Sequence, residues 1–226
     1  MNWRITQAES RKRYLAKFDD AEVDRYDALC GTLTRQDHEA YLADLTEMLQ
    51  FREGMSILDA GAGTGALCQI LMHLPERPRM TALEPAPAML GRLRNKADLR
   101  DVDTVEGFCD AVEDRRHFQP GQFDVIISRQ LVNGLFDPLT AFRNWHYWLS
   151  PQGKIVVIDG IYGRDSWSGM WEEEIDVLPV SACQSTALVP YLLEAAGFQI
   201  EIVRWMKHAN QQLSTRTRRY AVVAGK

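Results

Sequence analysis

The sequence predicts an α/β fold, a mostly parallel sheet with helices on both faces, and three observations predict it. Strand-like and helix-like segments alternate five times between residues 55 and 158, the pattern of a parallel sheet joined by crossover helices. The run 123–127 is almost unbroken in apolar character, as in a strand covered on both faces. The last two strand-like runs, 198–204 and 220–223, lie too close for a crossover helix and therefore pair antiparallel.

Residues 9–20 read as a helix, with Tyr14 and Phe18 one turn apart. In 38–50, Tyr41, Leu42, Leu45, Met48 and Leu49 recur at helical spacing and make one apolar stripe. Met55-Ser56-Ile57-Leu58-Asp59 is a short strand that runs into a glycine turn, and the next helix carries Leu67, Ile70, Leu71 and Leu74 on one face. Residues 80–83 make a second strand, 89–96 a second helix of the alternation and 102–105 a third strand. Asp137-Pro138 opens a helix with Asp as N-cap and Pro at the first position. Its buried face is expected to be Leu139, Phe142, His146 and Leu149. Ser150-Pro151-Gln152-Gly153 turns the chain into a fifth strand, 154–158. Residues 160–184 form an irregular segment rich in Trp, Gly and acid. Helix 191–196 ends at Gly197, and Pro190 suggests that it starts late.

The 226 residues, 46% hydrophobic and 25% charged with a net charge of −5, suit one globular domain. The expected division is N-terminal helices over 1–50, a ligand-binding core over 51–160 and a substrate-covering segment over 160–184. An acidic chain without a basic face does not predict nucleic-acid binding. The one dense basic cluster, Arg216, Arg218 and Arg219, reads as a solvated strand end. Cys30, Cys68, Cys109 and Cys183 form no Cys-x-x-Cys pair, so neither zinc nor thioredoxin-like chemistry is supported. Scattered thiols suit a reducing compartment. The polar start, 1–13, is no signal peptide, and no stretch approaches the roughly 20 apolar residues that span a bilayer. The expectation is a cytoplasmic protein with a small-molecule partner, no nucleic acid and no membrane.

The strongest local signal is Asp59-Ala60-Gly61-Ala62-Gly63-Thr64-Gly65 between a strand and a helix. Glycines let the backbone turn sharply and approach a ligand closely. Further on, Glu84 ends the second strand, where an acid accepts two hydrogen bonds from a ribose diol. An adenosine-containing cofactor follows. Gly61-x-Gly63-x-x-Ala66 also satisfies the dinucleotide fingerprint, so an NAD(P)-dependent oxidoreductase stays open. Three features point away from it: an acid, Asp59, two residues before the first glycine; two helices ahead of the turn; and an antiparallel pair at the end of the sheet.

The chain resembles the class I S-adenosylmethionine-dependent methyltransferases, and is similar to the small-molecule group that contains the quinone-biosynthesis enzymes. The resemblance rests on the segments 57–65, 83–90 (Leu-Glu-Pro-Ala-Pro-Ala-Met-Leu), 105–111 (Val-Glu-Gly-Phe-Cys-Asp-Ala), 123–129 (Phe-Asp-Val-Ile-Ile-Ser-Arg), 149–154 and 194–198. It implies a Rossmann-like seven-stranded sheet of order 3-2-1-4-5-7-6, with S-adenosylmethionine as cofactor. Gly61, Ala62 and Gly63 would pass under the cofactor's amino acid and ribose. Asp59 would meet its ammonium group and Glu84 its ribose hydroxyls. Pro85 and Met89 would pack near the adenine, Asp110 would accept its amino group, and the Ala111 N–H would reach a ring nitrogen. Ser128 and Arg129 would lie beside the methionine portion. Many relatives read Gly-Asp-Ala where this chain has Phe108-Cys109 before Asp110.

A sulfonium already makes its methyl group electrophilic, so alignment and exclusion of water are the main demands. No catalytic base is assigned. His38 and His208 are candidates, His146 reads as core, and Glu172, Glu173 and Glu174 read as a solvated helix face. Ser128-Arg129-Gln130-Leu131 lacks the Asn/Asp-Pro-Pro-aromatic motif of enzymes that methylate base or Gln amino groups, and no carboxylate cluster suggests magnesium. Metal-free transfer to O or N of a small metabolite remains, beside a methyltransferase-like protein that has lost catalysis. Tyr14, Phe18 and Tyr26, with Tyr162, Trp167, Met170 and Trp171, are expected to wall the acceptor pocket, or else to pack on one another as ordinary core. Gly160, Gly163 and Gly169 are candidate hinges of that roof.

Overall fold

A computed structural model describes residues 7–31, 33–212 and 217–226; Arg216 and the side chains of Cys30 and Met170 fall outside it. Seven strands form one sheet of order β3-β2-β1-β4-β5-β7-β6. They are β1 Ser56–Ala60, β2 Arg79–Glu84, β3 Asp103–Glu106, β4 Phe123–Arg129, β5 Leu149–Gly160, β6 Gln199–Trp205 and β7 Arg219–Gly225. The first five pair parallel, and β7 runs antiparallel to both β5 and β6. Fold class and strand order are those the sequence implies.

The apolar runs follow from the two faces. Ile57, Val125, Ile127, Val156, Ile158 and Val223 pack to one side, against helices α3 Arg35–Met48 and α4 Ala66–Leu71. Leu58, Ile126, Ile155, Val157 and Val222 pack to the other, against α6 Pro138–Trp148 and α7 Leu188–Ala195. Strand alternation with both faces covered makes the inner strands mostly apolar, with polar residues such as Asp59 and Ser128 toward their carboxyl ends.

Several local expectations are corrected. The first helix divides into α1 Gln7–Ala16 and α2 Asp20–Tyr26, because Asp19 caps a new start by accepting from the Glu22 N–H. One turn of π-helix, Asp27–Gly31, follows α2. The Asp137 cap on α6 is as expected, with a 2.9 Å bond from the Thr140 N–H, but the buried stripe is Ala141, Phe142, Trp145 and Trp148. Leu139 and His146 lie at its margin, half-buried. α7 begins three residues before Tyr191, because Pro190 sits in the first turn, where no N–H is needed. Residues 160–184 hold two short 3₁₀ stretches, Arg164–Ser166 and Gly169–Asp176. Helix α8 Lys207–Gln212 fits between β6 and β7, and its first N–H groups are held by buried Asp44 of α3 (Lys207 and Ala209 N–H, each 2.8 Å). The remaining helix, α5 Pro87–Arg94, follows β2. Among the described residues no helix is long and apolar enough to cross a membrane.

Candidate functional site

The registers Asp59↔Ile127 and Ala60↔Leu83 bring the ends of β1, β2 and β4 level. Asp59, Glu84, Arg129 and, one strand on, Asp159 thus gather at the carboxyl edge of the sheet, where open α/β sheets bind ligands. A cavity of about 600 Å³ near Met55, Asp124 and Lys154 lies at the opposite edge, by the strand starts.

Gly61 (φ +71°) and Gly63 (φ +55°) both take left-handed conformations. A Cβ on Gly61 would also stand 2.6 Å from the Leu131 side chain. The turn is tied down by Glu84, whose two carboxylate oxygens accept from the Gly63 and Ala86 N–H groups, each at 2.9 Å. Burial pushes the Glu84 carboxyl up to about 7, against those two donors and with the Asp59 charge adding to it. Asp59 is 1% exposed. One of its oxygens accepts from Cys68 Sγ at 3.1 Å, and the other is buried with no partner among the described residues. Burial lifts its carboxyl to about 6, opposed by Cys68 and by the Arg129 guanidinium.

Ser128 is fully buried and its hydroxyl has no hydrogen-bond partner among the described residues. Arg129 donates to Gln130 Oε1 at 2.8 Å and lies 5.9 Å from the centre of the Tyr41 ring. The segment 109–111 is pinned by Asn144 of α6, whose amide donates to the carbonyls of Cys109 (2.9 Å) and Ala111 (2.7 Å). Asp110 accepts from the Phe136 N–H at 2.6 Å and pairs with Arg11 of α1. The Ala111 N–H donates to Asp114.

Side chains from α1 and α2 sit over this half of the edge. Tyr26 lies against Gly63, and Val23 and Met89 are buried in the same cluster. Two small cavities remain: about 10 Å³ between Tyr26, Asp59, the glycine turn and Arg129, and about 30 Å³ between Tyr14, Pro85, Phe108, Asp110 and Leu131. Burial raises the Tyr14 hydroxyl well above its usual range.

The second half of the edge is open. A cavity of about 530 Å³ is lined by Glu22, Arg25, Asn133, Tyr162, Trp167 and Trp171. Its roof is one cluster of long-range contacts. Tyr14, Phe18 and Trp171 meet with ring centres 5.2–5.6 Å apart. Trp171 Nε1 donates to Glu22 at 3.0 Å, and Lys17 pairs with Glu174. Side-chain hydrogen bonds from Arg25 hold the Glu22 carboxyl below its usual range.

Of the residues expected to wall the acceptor pocket, Tyr162, Trp167 and Trp171 share this cavity, while Tyr14 and Tyr26 stand over the glycine-turn side. Phe18 packs on both Tyr14 and Trp171. Glu174 is buried, not a solvated face. His208 bonds Glu47 at 3.0 Å, and His38 stacks edge-on against His73.

Two features escaped the sequence reading. Arg219 is 4% exposed within β7, not a solvated strand end, and bonds the Tyr162 hydroxyl at 2.8 Å. Asp159, buried and raised to about 6 by desolvation, accepts from the Val132 and Gly160 N–H groups. Asp159 stands out in sequence as an acid ending a strand, as Asp59 does; Arg219 leaves no comparable trace.

Residues 33–201 match a family described as a methyltransferase domain. The chain is 28% identical over 104 residues to a ubiquinone biosynthesis O-methyltransferase of Xanthomonas campestris, a match that spans 46% of this chain and 42% of that enzyme. A SAM-dependent methyltransferase from Aquifex aeolicus has a similar structure, with a TM-score of 0.64 at 19% identity, over 92% of this chain and 98% of that one. The cyclase SpnF is also similar, with a TM-score of 0.63 at 15% identity, over 84% of this chain and 81% of that one.

Proposed function

Because the chain belongs to this methyltransferase-domain family, we propose that it transfers a methyl group from S-adenosylmethionine to an oxygen or nitrogen of a small-molecule acceptor. The observation that carries the reading is the linked set at the sheet edge: Asp59 with an unpartnered buried oxygen, a left-handed glycine turn, and Glu84 bonded to the turn. This donor set suits an adenosyl amino acid. S-adenosylmethionine, when bound, supplies a methyl already made electrophilic by its sulfonium.

The chain's own residues have four tasks in this reading. Asp59 offers its free oxygen to an ammonium group, with Ser128 and Arg129 beside the same amino-acid end. Glu84 takes the ribose hydroxyls as it releases backbone N–H groups. Gly61, Ala62 and Gly63 give the close approach, with Pro85 and Met89 flanking the adenine. Asp110 accepts the adenine amino group, and the Ala111 N–H is freed from Asp114. The cavities of about 10 and 30 Å³ are too small for such a ligand, so α1 and α2 lift to admit it. Helices α1 and α2 with residues 160–184 thereby act as a mobile roof over a binding core of 51–160, while α3, expected to belong to the roof, packs against the sheet. The roof excludes water and holds the acceptor in line.

The similarity to a ubiquinone biosynthesis O-methyltransferase supports oxygen as the attacking atom. A second reading, a cofactor-binding protein that does not methylate, is favoured by the similarity to a cyclase on the same architecture. Calorimetry with S-adenosylmethionine, S-adenosylhomocysteine and NADH tests the cofactor. Binding of NADH but of neither sulfur compound would sink both readings. A labelled-methyl transfer screen over small phenols and amines then separates the two.

A further inference from the structure

Asp59 is held by one of its oxygens and unclaimed at the other. Cys68, the third residue of α4, has its thiol sulfur 3.1 Å from Asp59 Oδ2, and both groups are buried. Burial and the neighbouring Asp59 charge push the Cys68 thiol up, so the proton stays on sulfur and the thiol donates. The Cys68 backbone N–H, a first-turn donor without an intrahelical partner, also favours the charged form of Asp59. Oδ1 has no partner among the described residues. Asp59 lines the cavity of about 10 Å³ together with Tyr26, Ala62 and Arg129.

A carboxylate turns about its own bond in a broad, roughly two-fold well, so a buried one with a free oxygen keeps its orientation only if something holds it. The side chain that does so here is Cys68. A thiol is a weak donor. It sets the direction of the carboxylate and leaves most of the charge for a cation. The charged groups around the pair come from three elements. Arg129 of β4 opposes the Asp59 charge, Glu84 of β2 is raised by it, and Lys96, just past α5, faces the thiol.

We propose that Cys68 is a positioning residue for the cofactor: its S–H holds Asp59 by one carboxylate oxygen and so presents the other to the ammonium group of the cofactor's amino acid. This rests on the reading of Asp59 as the ammonium partner. The rival assignment makes Cys68 a core residue that fills space beside Leu67 and Leu71.

Calorimetry on the full chain with S-adenosylhomocysteine and with 5′-methylthioadenosine, which lacks the amino acid, separates the two. Cys68→Ala should weaken S-adenosylhomocysteine by about tenfold, the low end for a hydrogen bond to a charged group, and leave 5′-methylthioadenosine within about twofold. Cys68→Ser restores a donor and should recover most of the loss. The acid limb of S-adenosylhomocysteine affinity, set by Asp59 at about pH 6, should move to higher pH in Cys68→Ala and back in Cys68→Ser. Glu84, raised to about 7, is untouched by either change, so the shift is read as a difference from wild type. On wild type, the infrared S–H stretching band should respond to S-adenosylhomocysteine and not to 5′-methylthioadenosine, a comparison that stands even if the variants fail to fold. An unchanged affinity in Cys68→Ala, equal losses for the two ligands, a Cys68→Ser protein as weak as Cys68→Ala, or an S–H band indifferent to S-adenosylhomocysteine would each overturn it. A wild type that binds neither S-adenosylhomocysteine nor S-adenosylmethionine would instead strike the methyltransferase reading, and this proposal with it.

Discussion

At the ends of β1 and β2 the polar partners are near neighbours in sequence: Gly63 and Ala86 reach Glu84 from 21 and 2 residues away. At the ends of β4 and β5 they arrive from across the chain. Arg219 is 57 residues from Tyr162, Trp171 is 149 from Glu22, and Lys17 is 157 from Glu174. The first half is packed down to cavities of about 10 and 30 Å³, and the second encloses about 530 Å³. In the proposed reading, the strand–turn–helix unit supplies the centre of the cofactor site, and the roof, built from distant segments, is a separate device that takes its shape from the acceptor.

Two tryptophans break or sharpen that contrast with the largest effect. Trp148 is fully buried in α6, its indole N–H on the Arg115 carbonyl at 2.8 Å. Trp148→Ala should cost about 3–5 kcal/mol of stability. Trp171 is half-buried in the roof, so Trp171→Ala should cost about 1 kcal/mol, the size of an aromatic pair, and should raise the acceptor KM before it touches cofactor binding. Denaturant titration beside steady-state kinetics checks both. An equal loss at the two sites would make the roof ordinary core.

The packed half should also respond to pH. Glu84 rises from 4.5 to about 7 and Asp59 from 3.8 to about 6 on folding. Between those values the folded chain holds more protons than the unfolded one, so stability falls as pH rises. The contribution from Glu84 is fully present below pH 4.5 and lost as pH passes about 7. It amounts to about 3 kcal/mol. The melting temperature without ligand should therefore fall from about pH 5 to about pH 8, and Glu84→Gln should flatten the slope. S-adenosylmethionine, a cation at its sulfonium, should bind more tightly over the same range. A slope unchanged in Glu84→Gln would assign the effect to other groups.

Substituting two of the three proposed cofactor acids compares positions within the packed half. Glu84→Ala removes a carboxylate bonded to the glycine turn, and should weaken S-adenosylmethionine by about 10²-fold in calorimetry. Asp110→Ala should cost less, because in the proposed reading Asp110 accepts one adenine N–H where Glu84 accepts two ribose hydroxyls. Equal affinities for wild type and Glu84→Ala would remove Glu84 from the ribose.

How much was legible follows the same division. The glycine turn and Glu84 at the end of β2 were readable because each rests on a pattern a few residues long, and the strand order came with the family resemblance that those segments carry. The burial of Arg219 was not, because β7 enters the sheet between β5 and β6 and carries a residue that reads locally as a strand end. Glu174 reads as one of three exposed acids until Lys17 arrives from α1. The stripe of α6 was misplaced because Leu139, His146 and Trp145 are all plausible apolar positions. Only the sheet and Phe118, 5.1 Å from Trp148, select among them.

The smallest effect expected is the most discriminating, and it sits where the roof touches the packed half. Arg11 of α1 pairs with Asp110 and lies 4.6 Å from the centre of the Phe108 ring. In the proposed reading the adenine amino group wants that same carboxylate, so Arg11 and the cofactor compete for it. The apparent affinity is the intrinsic affinity reduced by the fraction of molecules in which α1 has let go. Arg11→Ala should raise that fraction, speed association and tighten S-adenosylmethionine binding by about three- to tenfold, without altering the rate of dissociation. If Arg11 instead closes over the bound adenine by way of Phe108, the same change speeds dissociation and weakens binding. Stopped-flow tryptophan fluorescence reads the two rates separately. A faster dissociation with unchanged association would make α1 a clamp on the cofactor, and the division between a self-sufficient cofactor half and a separate roof would no longer hold.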